Sequence, residues 1–460
     1  MSARTDMERP LRIGLVSVSA IADDPRVRRQ GDLFWQRGWD VVAVGLSGAR
    51  SAPPEWLCLS VPATDEEMIA KSAPAPEPGV DVAGIVSPEP VEQAAPPLSR
   101  ALRLWRMLPT PLRRALRSPA RSALRLVDIA GVYLRETRAT ASYWRLNDRY
   151  RLIYELVREH RADIWVANDW SALPIVQNLA AEQGVPYAYD THELAIDEYA
   201  QSLRWRLIHR PVIAAVERMG IAGAAVTSCV SQGIADRLHQ VYRLPEKPLL
   251  IRNMPRYQAY PHRPCGETIE VLYHGVVYEG RGLEACIDSV ALWRPEFRLT
   301  IRGPGPDDYL AALRKRIETA GLADRVTLAP PVPMIDLVRE ANRFDIGLFA
   351  LPGHSKQNVH VLPNKFFEYT MAGLALCVSD LPEMTALLRQ HDLGRLIPEV
   401  TPQEIADAIN GFDRAAIDAC KAHALEAAKV LNWEAEADRF FAAIEQAVLM
   451  DKAAPRYAAQ

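Results

Sequence analysis

The sequence predicts an α/β protein built from two Rossmann-like, doubly wound domains that face one another across a cleft. Three observations lead there. Short apolar runs alternate with helix-patterned stretches along nearly the whole chain, as in a parallel sheet covered by helices. The runs fall into two series, separated by residues 254–264 with prolines at 255, 261 and 264. Finally, 460 residues suffice for two or three domains, each with its own core.

The first series of strand-like runs comprises residues 12–17, 40–45, 56–61, 163–167, 187–189, 225–230 and 249–252. The second comprises 270–274, 298–302, 325–329, 345–349 and 374–379. The expected division is a first domain over 1–258, a second over 259–428, and a terminal helix within 429–460. An excursion at 62–125 interrupts the first domain. It is proline-rich to Pro97, which predicts an irregular segment. Between Arg100 and Arg125 it turns basic, with arginines interleaved with leucines and no acid. A surface of that kind can rest on anionic lipid, at roughly 1 kcal/mol per cation near the headgroups. It is equally the pattern of a solvated helix pair packed on the first domain, since Pro109, Pro111 and Pro119 break any single long helix.

Bulk composition narrows the class. A net charge of −3 argues against a nucleic-acid binder acting through overall charge. No run approaches the ~18 apolar residues of a membrane span, and residues 1–10 lack the apolar core of a secretory signal. The expected location is therefore cytoplasmic, with peripheral attachment to the inner face of the membrane if the basic segment binds lipid. Six cysteines without a Cys-x-x-Cys read as reduced, mostly buried small hydrophobes.

Sheets of this kind bind ligands beyond the carboxyl ends of their strands, so the loops there are the candidate site. After the run at 374–379 has been approached through 362–373, the most telling pattern is Asn364, Lys365 and Glu368. Asn364 can cap a short helix, Lys365 and Glu368 lie three apart on one face, and Gly373 supplies a left-handed stop. A cation and a carboxylate held there suit a ligand with both a diphosphate and a ribose. The plain alternative is a surface Lys–Glu pair worth ~0.2–0.5 kcal/mol. In the same half, Gly275, Gly280 and Gly282 follow a strand and precede a helix expected near Leu283, so backbone and helix terminus can approach an anion, with Arg281 adding a guanidinium fork. The polar loop 353–360 should overhang this pocket, offering Lys356, Asn358 or His360 to sugar or phosphate, unless it is an ordinary surface loop. Arg302 to Pro306 and Pro330 to Met334 are expected to shape walls, including a nucleobase slot.

In the first half, Asn168, Asp169 and Trp170 follow one strand, and Asp190, Thr191, His192 and Glu193 follow the next. His192 can donate to a developing negative charge or a sugar hydroxyl, with Glu193 or Asp190 orienting it; a lone histidine is otherwise more often structural. Asp24 and Pro25 read as an N-cap with proline at the first helical position, and Arg26 and Arg29 face either cleft or solvent. There is no Asp-x-Asp to grip a metal–diphosphate, no Walker loop and no Gly-x-Ser-x-Gly elbow.

Taken together, Asp24 to Val27, Asn168 to Trp170, Asp190 to Glu193, Ile251 to Asn253, His274–Gly275 with Arg281–Gly282, Gly303 to Gly305 and Leu362 to Gly373 resemble the group 1 (family 4) glycosyltransferases. The resemblance spans most of the chain and is more specific in its second half. It implies the two-Rossmann GT-B fold, with the helix over 433–448 crossing back onto the first domain. It further implies retaining, metal-independent transfer of a sugar from a nucleotide-sugar donor, without a cofactor; the basic stretch between Arg100 and Arg125 points to a glycan or lipid-linked acceptor on the cytoplasmic face, as in cell-surface polysaccharide assembly. By resemblance Arg281 and Lys365 hold the diphosphate, Glu368 the ribose hydroxyls, and His192 the donor sugar. Gly275, Gly282, Asn358, His360 and Asn364 complete the donor side, and Asp24, Arg26, Asp169 and Glu193 the acceptor side. One departure stands out. The family often shows two glutamates separated by seven residues, and here the first position is His360. Two other readings share the fold: a non-hydrolysing nucleotide-sugar epimerase, which needs no acceptor, and a non-catalytic nucleotide-sugar-binding protein.

Overall fold

The computed structural model describes residues 9–49, 51–64, 131–132, 138–198, 202–203, 205–353 and 356–453. The irregular segment from Asp65 to Pro97 and the basic stretch between Arg100 and Arg125 lie outside the described residues.

Two parallel sheets organise the chain. The first has seven strands in the order β3-β2-β1-β4-β5-β6-β7: β1 (Arg12–Val16), β2 (Asp40–Leu46), β3 (Leu57–Val61), β4 (Ile164–Asn168), β5 (Tyr187–Thr191), β6 (Val226–Cys229) and β7 (Leu249–Leu250). The second has six in the order β10-β9-β8-β11-β12-β13: β8 (Ile269–His274), β9 (Phe297–Arg302), β10 (Val326–Ala329), β11 (Ile346–Phe349), β12 (Ala375–Ser379) and β13 (Gly394–Ile397). All recorded pairings are parallel. Because helices cover both faces, central strands such as Ile164–Asn168 and Ala375–Ser379 are buried at every position. That is why they read as continuous apolar runs rather than as alternations. Strand order reverses between β1 and β4 in the first sheet and between β8 and β11 in the second. These switch points open crevices at the carboxyl ends, where ligands of such sheets sit.

Residues 251–268 carry no helix or strand and lead from one sheet to the other. Met254 within them is buried in the second core. The final helix, Trp433–Ala453, lays Trp433, Phe440, Ile444 and Val448 into the core built on Ile13 and Leu15 of β1 and Phe34 of the helix Pro25–Gln36. Phe34 and Phe441 pack with ring centroids 5.2 Å apart, and Arg252 bonds Glu436 at 3.1 Å.

Local expectations fared unevenly. Asp24 does cap the helix Pro25–Gln36, accepting from the backbone N–H groups of Arg26 and Val27, with Pro25 at the first position. Asn364, in contrast, is the first residue of the helix Asn364–Met371 and caps nothing; Pro363 occupies the capping position. Gly373 takes φ +70° as a left-handed stop requires. The edge strand β13 was not anticipated, because four residues containing a glycine and an arginine give no apolar run.

Candidate active site between the two sheets

A cavity of about 810 Å³ lies between the carboxyl ends of the two sheets and is lined from both halves of the chain. It falls within the ~300–1,000 Å³ range typical of small-molecule sites. On the first side stand Ser19, Asp24, His192 and Glu193; on the second, Gly275, Arg281, Asn364, Lys365 and Glu368.

The second side is built by the turn after β8 and the helix Asn364–Met371. Lys365 is buried, with its Nζ 4.2 Å from the ring centroid of Tyr273 and 4.5 Å from that of Phe349. No carboxylate lies within ion-pair distance of it among the described residues. Burial, and then the charge of Arg281, pull its pKa down to about 7, against the opposing pull of Glu368. A buried ammonium confined between rings and left without a counter-ion is prepared to gain from an anion. Gly275, at φ +121°, makes the space: a Cβ there would stand 2.9 Å from Lys365 Nζ. Gly282 plays a different part. It starts the next helix at φ +74° with its α-carbon against Ala350, where a Cβ would meet the carbonyl oxygen at 2.1 Å, and it does not line the cavity. Arg281 is exposed on the cavity wall, free of any ion pair among the described residues.

Glu368 accepts a hydrogen bond from His274 Nε2 at 2.8 Å through one carboxylate oxygen. Burial raises its pKa, but the His274 bond, together with the charges of His274, Arg29 and Lys365, wins and holds it below the ordinary range. Burial in turn lowers the His274 pKa against the pull of Glu368; the ring donates from Nε2 to the carboxylate, and its Nδ1 has no partner among the described residues. The second oxygen of Glu368 has no hydrogen-bond partner among the described residues, and the residue lines the cavity.

On the first side, Asp190 at the end of β5 is the hub. It is fully buried and accepts from Arg26 Nε at 2.5 Å and Nη2 at 2.6 Å, from Gln30 at 2.6 Å and from Ser228 at 2.5 Å. His192 Nε2 stands 3.4 Å from the same carboxylate and 3.3 Å from Asn168 Oδ1. Burial pulls His192 down, yet the Asp190 bond and the charges of Asp190 and Asp169 outweigh it and raise the imidazole pKa. The ring is thus oriented through Nε2, and the residue lines the cavity. Glu193 is exposed to the same space; burial and Asp169 raise its pKa, opposed by His192 and Arg281.

Several expected site residues are elsewhere. Arg26 does not face an acceptor: it is 1% exposed, locked to Asp190 and to the Ile251 carbonyl at 2.7 Å. Asp169, at φ +73°, bonds the N–H of Trp170 and is not part of the lining. Asn358 turns back to the Pro352 carbonyl at 2.8 Å. His360 lies against the start of the helix Gln232–Tyr242, where its carbonyl accepts from Ser231 Oγ at 2.8 Å, and a Cβ on Gly233 would meet its Nδ1 at 2.1 Å. Neither Asn358 nor His360 lines the cavity. Nothing is described of the Lys356 side chain. Conversely, Ser19, His274 and Gln357 line the cavity without having been given a role, although His274 stood in a motif of the resemblance and Gln357 in the loop expected to overhang the pocket. His274 left its trace in sequence as the last residue of a strand directly before a glycine.

Two parallel-sheet domains with a cavity of this size at their facing strand ends define the GT-B class. A model of the family "Glycosyl transferases group 1" matches residues 268–412, and one of "Glycosyltransferase Family 4" matches residues 73–254. The chain thus carries a group 1 glycosyltransferase domain in its second half and a family 4 glycosyltransferase domain in its first, and is a glycosyltransferase. Among solved structures it is similar to sucrose-phosphate synthase from Thermosynechococcus elongatus, at TM-score 0.62 and 15% identity over 96% of this chain and 100% of that one. It is also similar to Anabaena HepE in complex with UDP and glucose, at TM-score 0.61 and 13% identity over 95% and 100%. A third is WaaG, a glycosyltransferase involved in lipopolysaccharide biosynthesis, at TM-score 0.57 and 13% identity over 96% and 100%. No curated protein matches the sequence. No helix among the described residues is long and apolar enough to cross a membrane.

Proposed function

We propose that the protein transfers a sugar from a nucleoside-diphosphate donor to a glycan or lipid-linked acceptor, with retention of anomeric configuration and with neither a metal nor a cofactor, in the building of a cell-surface polysaccharide. The observation that carries this is the pair Lys365 and Arg281, two cations without ion-pair partners among the described residues on one wall of the cavity, beside a glycine turn that leaves room for phosphate. The absence of an Asp-x-Asp from the sequence accords with neutralisation by side-chain cations. HepE bound to UDP and glucose, and WaaG acting in lipopolysaccharide biosynthesis, support the donor class and the type of pathway.

In this reading the diphosphate sits against Lys365, Arg281 and the Gly275 turn, and Glu368 takes the ribose hydroxyls. As the bond from the anomeric carbon to the phosphate oxygen lengthens, negative charge grows on the diphosphate where the cations already stand, and preorganised charge of this kind lowers the barrier most. His192 donates to the sugar near the reacting carbon. The acceptor hydroxyl enters on the face the diphosphate leaves, and its proton passes to the leaving phosphate. Arg281→Ala and Lys365→Ala should each lower turnover by roughly 10²–10³-fold. A thermal-shift panel of nucleotide sugars selects the donor, and magnetic resonance of the product reports the anomer. Both variants turning over within about twofold of wild type would remove the basis of the assignment.

A further inference from the structure

The position that the family pattern gives to a first glutamate is His360 here, and His360 is turned out of the cavity. Gln357, one helical turn earlier, is turned in. It is 7% exposed, lines the cavity and belongs to the short helix Lys356–Val359. Its amide is pinned from the opposite side: the backbone N–H of Leu194 meets Gln357 Oε1 at 2.6 Å. A backbone N–H can only donate, so the atom it meets must be the oxygen and the orientation of the amide is fixed by chemistry. The NH₂ then has no partner among the described residues and opens on the cavity. Leu194 directly follows His192 and Glu193, both on the lining, so the bridge fastens this NH₂ beside the groups that address the sugar.

We propose that Gln357 is a specificity-determining residue that contacts the donor sugar, donating from its NH₂ to an acceptor oxygen such as a hydroxyl or carboxylate. The inference rests on the nucleotide-sugar reading above. A glutamate at such a site could only accept, whereas this amide presents donors alone. The sugar edge it reads must therefore offer a lone pair, and the site tolerates negative charge there.

Binding of UDP, GDP and ADP, and of UDP-glucose, UDP-galactose, UDP-glucuronate, GDP-mannose and ADP-glucose, is measured by calorimetry. The tightest sugar nucleotide is then compared with its own sugar-free diphosphate in Gln357→Glu and Gln357→Met. Glutamate keeps the acceptor for Leu194 and loses the donor; methionine loses both. Both variants should weaken the sugar nucleotide about tenfold while leaving the diphosphate within about twofold. A bridge serving only to hold the halves together predicts that Gln357→Glu behaves as wild type, which would overturn the proposal while the nucleotide-sugar reading stands. Equal weakening of diphosphate and sugar nucleotide would overturn it too. Failure of every nucleotide to bind the wild-type protein would take down both readings.

Discussion

Lys365 makes the sharpest test, because its environment sets a number. With a pKa of about 7, the side chain is roughly half protonated near neutrality in the free protein. If only the ammonium form holds the diphosphate, the apparent dissociation constant is the intrinsic one divided by the protonated fraction. That fraction falls from about one half at about pH 7 to about one hundredth at about pH 9, weakening binding about 50-fold, or about 2.3 kcal/mol. A phosphate's own last ionisation, near about 6, lies below this window and does not imitate the effect. Calorimetric titration of UDP, GDP and ADP across the window reads it directly, and Lys365→Met should flatten the dependence and bind weakly throughout. A wild-type profile that is already flat above about pH 7 would refute the reasoning, since it would mean the lysine is either charged throughout or uninvolved.

The same group makes a stability prediction of opposite sense. In the unfolded chain a lysine titrates near about 10.4, so between about 7 and that value the unfolded state binds more protons, and the ligand-free fold gains stability as pH rises. Below about pH 7 the charge is buried in the native state without a counter-ion, and this burial opposes folding. Lys365→Met, close in volume, should therefore raise the melting temperature of the ligand-free protein at about pH 6 while abolishing the stabilisation that the nucleotide gives the wild type.

Three further outcomes follow from named contacts. Arg26→Met leaves Asp190 buried without its guanidinium and should destabilise the protein by about 3–5 kcal/mol in urea denaturation; normal stability with lost nucleotide binding would instead put Arg26 in the site. Gly275→Ala must move Lys365 and should weaken the diphosphate, whereas Gly280→Ala, also at positive φ but with nothing within 4 Å, should carry only backbone strain of about 1–3 kcal/mol in its melting curve. Phe440→Ala, fully buried where the last helix meets the first sheet, should cost about 3–5 kcal/mol, and a change below about 1 kcal/mol would contradict the docking of that helix.

Much of this was legible because the physics was local. Central strands buried on both faces read as apolar runs and edge strands as shorter or mixed ones; eleven of the runs read from sequence coincide with strands within a residue or two, and the short β7 lies within the twelfth. Lys365 and Glu368 share a helix face by spacing alone, and Gly373 stops that helix as its lack of a Cβ allows. What escaped depends on distance along the chain. Nothing near Arg26 announces that Asp190, 164 positions later, will neutralise it, so an arginine at the mouth of a helix read as a ligand when it is an internal strut. Gln357, Asn358 and His360 lie in one polar stretch around a four-residue helix; with no periodicity to fix a face, composition could not tell which of them turns inward.

The contrast between Arg26 and Lys365 shows how one chain separates supporting charge from working charge. Both are buried cations near the cavity, but Arg26 finds a carboxylate and a carbonyl within hydrogen-bond distance, while among the described residues Lys365 finds aromatic faces and no hydrogen-bond acceptor. An anion can add little to the first, because its donors are already engaged, and much to the second, whose desolvation is not yet compensated. The halves meet around the cavity through few bonds: Leu194 N–H to Gln357 at 2.6 Å, Ser231 to the His360 carbonyl at 2.8 Å, and the Gly233 N–H to Glu383 at 2.6 Å. A donor that gives its diphosphate to Lys365 and its sugar to His192 would add contacts across this same boundary. It can therefore favour the approximated arrangement by as much as its affinity for the two arrangements differs, and by no more.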